Sequence, residues 1–207
     1  MQNSDVESYV TQVKRWPENG NHILAQFDES TITVYQAFKP SIAQYAVVNQ
    51  RFGGNDFSFT RMSWIKTNFL WMMYRSGWAT KKDQERILAV RIKRQGFDEI
   101  LRNAFSVKYQ KLKGVKTDEI EVRLQWDPDH SPTFEKQSRR AIQLGLKGQI
   151  LQKYANDWIV NITDITEFVV QQRALKETTE LVTPREQTYL VADGEISERI
   201  NLSSLCE

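Results

Sequence analysis

The segment from Arg61 to Glu85 carries residue types that suit a ligand with phosphates and a flat ring. Its sequence is RMSWIKTNFLWMMYRSGWATKKDQE. Arginine offers a planar fork that can bind phosphate through two hydrogen bonds, lysine offers a point charge, and tryptophan and tyrosine offer faces for stacking. Between Arg61 and Arg86, six basic residues stand against two acidic ones, whereas the whole chain has a net charge of only +2. The segment is therefore a candidate binding surface for an anion.

These residue types predict contacts with a nucleotide. The residues expected to contact it are basic for the phosphates and aromatic for the ring: Arg61, Lys66, Arg75, Trp64, Trp71 and Tyr74. The same segment has a simpler interpretation, in which its tryptophans pack inside the core and its charged side chains are solvated. Both interpretations stay open on the sequence alone.

A second group of polar residues lies in the segment Gln125–His130, whose sequence is QWDPDH. A carboxylate at the end of a strand, fixed by a proline, is a common way to hold an acid in a site. We expect Asp127 to be that carboxylate, and Gln143 to add an amide to the same pocket. The alternative is a rigid turn in which the Asp127 side chain caps the backbone.

Composition and motifs exclude several other classes of protein. The sequence contains no glycine-rich dinucleotide or phosphate-binding motif, no H-E-x-x-H and no C-x-x-C. A single cysteine, Cys206, forms no internal disulfide, and histidines as far apart as His22 and His130 predict no metal site. The longest apolar run is Phe69–Tyr74, too short for a membrane span, and the polar N-terminus does not resemble a secretory signal. A cytoplasmic protein is expected.

The pattern of apolar residues predicts strands and helices in irregular alternation. Strands are expected at 31–38, 85–93, 119–126, 141–146 and 158–162. The segment Arg61–Gly77 fits a short strand followed by a helix, which we prefer, or one continuous helix. Asp127–Pro132 is expected to end the strand before it. Because the order lacks regular βαβ spacing, the predicted fold class is α+β, a single domain with a mixed, strongly bent sheet flanked by helices.

The chain is expected to divide into three parts. Residues 1–20 are polar and predict an N-terminal tail or short helix, and residues 21–180 predict the α+β core domain. Residues 181–207 predict a C-terminal hairpin appended to the core, with its turn at Asp193–Gly194.

Long stretches of the chain resemble one family, the domain-of-unknown-function 4291 family. The resemblance rests on five segments: VYQAF at 34–38, RMSWIKTNFLWMMYRSGWATKKDQERIL at 61–88, QWDPDH at 125–130, RAIQLGL at 140–146 and WIVNITDIT at 158–166. It covers nearly the whole chain, and its long central motif is highly specific. The family name implies no activity, so the resemblance leaves the reaction open.

The order of the predicted elements also resembles the NAD-binding core of ADP-ribosyltransferases. In that fold an early strand and a later serine-bearing strand clasp the nicotinamide end of NAD, and a late glutamate orients the ribose. The residues that the resemblance puts at these places are Tyr35 or Gln36, Ser63 and Gln143. The amide of Gln143 departs from the pattern, because it can hydrogen-bond a ribose hydroxyl but cannot act as a base or stabilise a cation as a carboxylate does. Asp127 or Glu121 would have to supply that carboxylate.

Three functions follow from these residues. The leading one is a nucleotide-dependent transferase that uses NAD and resembles ADP-ribosyltransferases, with no metal. The second is a protein that binds or processes RNA, in which the same rings stack on bases and the same cations contact phosphates. The third is a protein-interaction domain without chemistry. The oligomeric state is not indicated by the sequence.

Overall fold

A computed structural model describes residues 5–204, which leaves Cys206 outside the described part of the chain. The strands are β1 (Val6–Ser8), β2 (Gly20–Asn21), β3 (Leu24–Ala25), β4 (Thr31–Phe38), β5 (Ser63–Lys66), β6 (Arg86–Lys93), β7 (Ala104–Phe105), β8 (Val122–His130), β9 (Lys136–Leu146), β10 (Ile159–Asp164), β11 (Val182–Pro184) and β12 (Gln187–Thr188). The helices are α1 (Tyr9–Gln12), α2 (Pro40–Asn49), α3 (Phe69–Ser76), α4 (Arg94–Arg102), α5 (Val107–Lys113), α6 (Gly148–Lys153), α7 (Thr166–Leu175) and α8 (Gly194–Arg199). Together they form one α+β domain, which confirms the predicted fold class.

The central sheet is mixed and consists of two parts that meet between β4 and β5. Its strand order is β10-β6-β4-β5-β9-β8-β7, and β2 pairs with β9. The pairs β7–β8 and β2–β9 are parallel, and the other neighbours are antiparallel. Within the described chain, β4 and β5 are joined through the single pair Tyr35–Lys66, whereas β4 and β6 are paired along their whole length. The sheet is therefore weakly held at this junction, and space can open beside it.

Two apolar clusters pack the sheet against its helices. The larger one contains Val34 and packs the central strands against α2, α4 and α6. The second one contains Tyr35 together with Phe69 of α3 and Val169 of α7. Because successive strand residues point to opposite faces, β4 contributes to both clusters and is covered on both sides. Of the helices between residues 5 and 204, none combines the length and apolar composition needed to cross a bilayer.

The segment Arg61–Gly77 is a strand followed by a helix, as preferred from the sequence. The turn at Thr67 and Asn68 separates β5 from α3. The Asn68 side chain caps α3 by accepting a hydrogen bond of 2.7 Å from the backbone N–H of Trp71. Gly77 ends the helix in the left-handed conformation with φ of 60°, which glycine adopts without steric cost.

Strand β8 does not end where the sequence predicted. It continues through Asp127 and Pro128 to His130, with an irregularity in its pairing to β9 between Pro128 and His130. Proline is tolerated here because β7 pairs only with Val122 and Arg123, so beyond them β8 has β9 as its one partner in the described sheet. Asp127 is consequently a strand residue, and the predicted rigid turn at this position is wrong.

The C-terminal segment is not an appended hairpin. Strand β11 pairs with β1 and β12 pairs with β3, so this segment joins elements near the start of the chain. Asp193 and Gly194, predicted as a hairpin turn, instead begin α8: the Asp193 side chain accepts hydrogen bonds from two N–H groups of its first turn. Ile196 and Ile200, four residues apart, share one face of the helix and enter the larger apolar cluster. The segment is thus part of the core.

Candidate functional site

A pocket of about 540 Å³ opens beside the junction of β4 and β5. Seven of the site residues predicted from the sequence line it: Gln36, Arg61, Ser63, Trp64, Lys66, Arg75 and Gln143. Its other walls come from Ala37, Phe38, Ile42, Asp56, Phe57, Ser58, Met62, Met72, Asp83 and Gln84. Pockets that bind small molecules have volumes of roughly 300–1,000 Å³, so this one is large enough for a nucleotide.

Gln36 holds the two strands together where their backbones part. Its side-chain amide donates hydrogen bonds to Ser63 Oγ at 2.9 Å and to the Trp64 carbonyl at 3.2 Å. Its Oε1 accepts a hydrogen bond of 2.7 Å from the hydroxyl of Tyr154, which is fully buried. Because these bonds replace backbone pairing, Gln36 and Ser63 fix the shape of the pocket wall.

Lys66 is a buried cation that faces the pocket without a partner. The residue is 4% exposed, and within residues 5–204 its ammonium has no ion pair and no hydrogen-bond acceptor. The pKa of Lys66 is lowered to about 7, mainly by burial and also by the positive charge of Arg75, while Asp127 acts in the opposite direction. Near neutral pH the side chain is therefore both a charge that can bind an anion and an amine that can accept a proton.

Gln143 lies opposite Lys66 in the β5–β9 pairing, and its orientation is fixed. Its Nε2 donates hydrogen bonds to Gln125 Oε1 at 2.9 Å and to Asp127 Oδ2 at 2.6 Å. Since a carboxylate can only accept, the amide nitrogen must face Asp127, which leaves Gln143 Oε1 as an acceptor for a ligand. Asp127 does not line the pocket itself, but it holds the amide that does.

The other carboxylate considered from the sequence is not part of this site. Glu121 Oε1 accepts a hydrogen bond of 2.7 Å from the backbone N–H of Gln149, in the first turn of α6. Glu121 lines a different surface depression, beside α6. Gln125, in contrast, belongs to the site and was missed. Its position two residues before Asp127 on one strand face could have indicated it.

The turn between β5 and α3 brings the two arginines to one pocket. Arg61 precedes β5 and Arg75 lies in the last turn of α3, and both are exposed at the pocket rim. A continuous helix would have kept them about 21 Å apart. Asp56 and Asp83 also reach this rim, but Asp56 is already paired with Lys39 at 2.8 Å. The three predicted phosphate-binding cations thus line the same cavity.

Three of the predicted rings lie away from the pocket. Tyr35 is fully buried in the second apolar cluster, against Phe69 with 5.6 Å between ring centroids. Trp71 stacks on Tyr74 at 5.2 Å, and Tyr74 stacks on His130 at 3.6 Å. The helical rotation of 100° per residue explains this placement: Met72 and Arg75 line the pocket, so positions 71 and 74 point elsewhere. The indole in the pocket wall is Trp64.

Comparison with known proteins gives one family. Residues 22–189 match the family described as a domain of unknown function (DUF4291). This range contains β5, α3, β8 and β9, and therefore every residue of the pocket wall. A search of curated proteins finds no match.

Proposed function

The chain belongs to the DUF4291 family, whose description names no activity, and we propose from its pocket that it is a nucleotide-dependent transferase. The observation that carries the proposal is the unpartnered, 4% exposed Lys66 in a cavity whose rim also holds Arg61 and Arg75. A buried cation without a counter-ion costs folding free energy, and a bound anion removes that cost.

The chemical groups of a nucleotide can be assigned to the pocket one by one. Its phosphates contact Lys66 and the two arginines, which supply three positive charges on one cavity. Its ring stacks on Trp64, the half-buried indole of the wall. A ribose hydroxyl donates to Gln143 Oε1, the acceptor that the Asp127 carboxylate leaves free.

The strand arrangement supports NAD as the nucleotide and an ADP-ribosyltransferase-like reaction. The early strand β4 and the serine-bearing strand β5 lie side by side, and the later strand β9, which carries Gln143, is the next neighbour. The expected glutamate is absent at this place, but Asp127 Oδ2 lies 2.6 Å from the Gln143 amide. In this proposal Gln143 orients the ribose, and Asp127 fixes the Gln143 amide and adds its negative charge from behind the pocket wall, which favours the ribose carbon that becomes electron-deficient as nicotinamide leaves.

Calorimetric titration with NAD, ADP-ribose and ATP tests the proposal. Arg75→Gln removes an exposed cation at the pocket rim, and Arg140→Gln is the matched control because Arg140 is an exposed residue of β9 outside the pocket wall. We expect Arg75→Gln to weaken binding between about 10-fold and 100-fold, as for a lost hydrogen bond to a charged group, and Arg140→Gln to leave it unchanged. Equal affinity of both variants, or no binding by the unaltered protein, would overturn the assignment.

A titration with RNA and an assay of nicotinamide release from NAD separate the transferase from the other two functions. In the ADP-ribosyltransferase-like reaction the bond between the ribose and nicotinamide breaks, nicotinamide leaves, and the ADP-ribose is bonded to an acceptor or to water; released nicotinamide is therefore expected. Nucleotide binding without NAD turnover would keep the pocket and reject that reaction. Binding of RNA through the pocket, sensitive to Arg75→Gln, would favour an RNA-processing protein, and binding of neither would favour an interaction domain.

A further inference from the structure

A second basic surface lies at the far edge of the sheet, around helix α5. Between Leu101 and Thr117 the chain has five basic residues and no acidic one. These residues are Arg102, Lys108, Lys111, Lys113 and Lys116, and all five are exposed. Asp118 and Glu119 follow directly, so the positive charge is confined to the helix and its flanks. This segment did not enter the sequence-based prediction of function.

Helix α5 is held in place without burying any of its residues. Ser106 caps it by accepting a hydrogen bond of 3.1 Å from the Tyr109 N–H. The guanidinium of Arg199 lies over the rings of Phe105 and Tyr109, at 4.6 and 5.1 Å from their centroids. Within residues 5–204, the ammonium groups of Lys108 and Lys111 have no ion pair and no hydrogen bond. The helix thus presents free positive charge from a fixed position.

The register of the sheet connects this surface with the pocket. Trp64 of β5 pairs with Gly145 of β9, Gly145 pairs with Arg123 of β8, and Arg123 pairs with Phe105 of β7. Directly paired residues present their side chains on the same face, so these four positions form one row across the sheet. Three strand spacings put Phe105 about 14 Å from Trp64. In the described structure, the Arg123 guanidinium has neither an ion pair nor a hydrogen bond.

Gly145 lets the side chains of Met62 and Trp64 pack against the row beside the pocket. A Cβ at this position would collide with the side chain of Met62 and would lie 3.0 Å from the indole of Trp64. The glycine therefore allows Trp64 to pack closely against β9. Beyond it the row continues to Arg123 and Phe105, and the ring of Tyr109 in α5 lies 5.5 Å from that of Phe105, so the basic helix adjoins the end of the row.

We propose that this face, from Trp64 through Arg123 to α5, binds a single-stranded nucleic acid. The free cations can contact the phosphates of such a strand, and the row across the sheet gives the strand a direction. A lipid surface fits less well, because the exposed apolar residues Val107 and Leu112 are five positions apart, about 140° around the helix, and form no apolar strip. In the transferase proposed above, the bound strand is also the acceptor of the transferred group. This role rests on the proposed function, whereas the existence of the binding surface does not.

Fluorescence anisotropy with a labelled 12-nucleotide RNA of uridines tests this surface. The variant combines Lys108→Gln, Lys111→Gln and Lys113→Gln. The matched control combines Lys14→Gln, Lys93→Gln and Lys136→Gln, which removes three exposed lysines elsewhere and gives the same net charge. We expect the α5 variant to bind at least about tenfold more weakly at 50 mM salt and the control to change less than about twofold. The slope of log K against log salt should fall by about 2 in the α5 variant only, because each lost phosphate contact contributes about 0.7.

Several outcomes would contradict the proposed nucleic-acid-binding surface. Each can be distinguished from an outcome that contradicts the proposed nucleotide pocket. Equal weakening in both triple variants would mean that only net charge matters. Binding to vesicles with anionic lipids, without binding to RNA, would identify a membrane surface instead. Titration of the α5 variant with ADP-ribose separates the two proposals. Lost RNA binding with unchanged affinity for ADP-ribose supports the surface. Loss of both would mean that the variant is misfolded, and the proposed surface would then be rejected.

Discussion

Replacement of Lys66 by methionine should make the protein more stable, and more so at low pH. Lys66 is 4% exposed, faces Arg75 and has no counter-ion among the described residues except the charge of Asp127. Methionine has a similar length and flexibility but no charge, so Lys66→Met keeps the packing of β5 and removes the desolvation penalty. The variant therefore isolates the free energy of one buried ammonium.

The magnitude follows from the pKa of Lys66. The unfolded chain holds this proton up to the ordinary pKa of 10.5, whereas in the folded protein the pKa is lowered to about 7. Between these values the unfolded state binds more protons, so the free energy of unfolding increases as the pH rises. Below pH 7 the destabilisation caused by the buried charge of Lys66 is fully present. It is at most about 5 kcal/mol, because lowering a pKa by one corresponds to about 1.4 kcal/mol. It should shrink by about 3 kcal/mol between pH 6.5 and 9.5.

Urea denaturation of both proteins at pH 6.5, 8 and 9.5 measures this difference. Other titrating groups are common to the two proteins and cancel when their free energies of unfolding are subtracted. Lys108→Met is the matched control, because Lys108 is exposed and its replacement should change stability by less than about 0.5 kcal/mol at each pH. A constant difference between Lys66→Met and the unaltered protein across this range would refute the reasoning. It would mean that Lys66 stays charged in the folded protein and has found a partner.

Substitutions at three buried residues, Asp129, Gln36 and Asn68, test their contacts by urea denaturation at pH 7. Asp129→Asn should cost about 3–5 kcal/mol, because it leaves the Arg139 guanidinium, buried and 2.6 Å away, without its counter-ion; a cost below about 1 kcal/mol would show that the pair is hydrated. Gln36→Met should cost about 1–3 kcal/mol, because the buried Tyr154 hydroxyl loses its acceptor, and a fully stable variant would contradict this role. Asn68→Ala should cost about 1–2 kcal/mol through loss of the α3 cap, and Asn68→Ser, which retains an acceptor, should restore part of it. Identical stabilities of these two variants would argue against capping.

The sequence by itself determined the elements whose signals are local. Strand β4 was predicted with its observed bounds, because alternating β-branched and aromatic residues depend only on the pleat of the strand. The helix after β5 was predicted with its end at Gly77, because a glycine terminates a helix through the conformation of a few residues. The types of residue needed for a phosphate site could also be identified from the sequence, because charge and aromaticity belong to each residue whatever the fold.

Local signals failed where two structures fit the same few residues. Asp193 and Gly194 suit a hairpin turn as well as the start of a helix. The helix forms because it places Ile196 and Ile200 together in the apolar core. A proline usually ends a strand, but at Pro128 β8 has β9 as its one described partner, and a proline is tolerated where one side of a strand is unpaired.

Only the tertiary structure decided which side chains meet in the pocket. The face of α3 that carries Arg75 turns towards β5, and the face that carries Trp71 turns towards His130, because α3 packs against both β4 and β8. The burial of Lys66 depends on strands that are far apart in the chain, and so does the bond between Gln143 and Asp127. Desolvation and orientation come from surrounding atoms, and the sequence around one residue does not contain them.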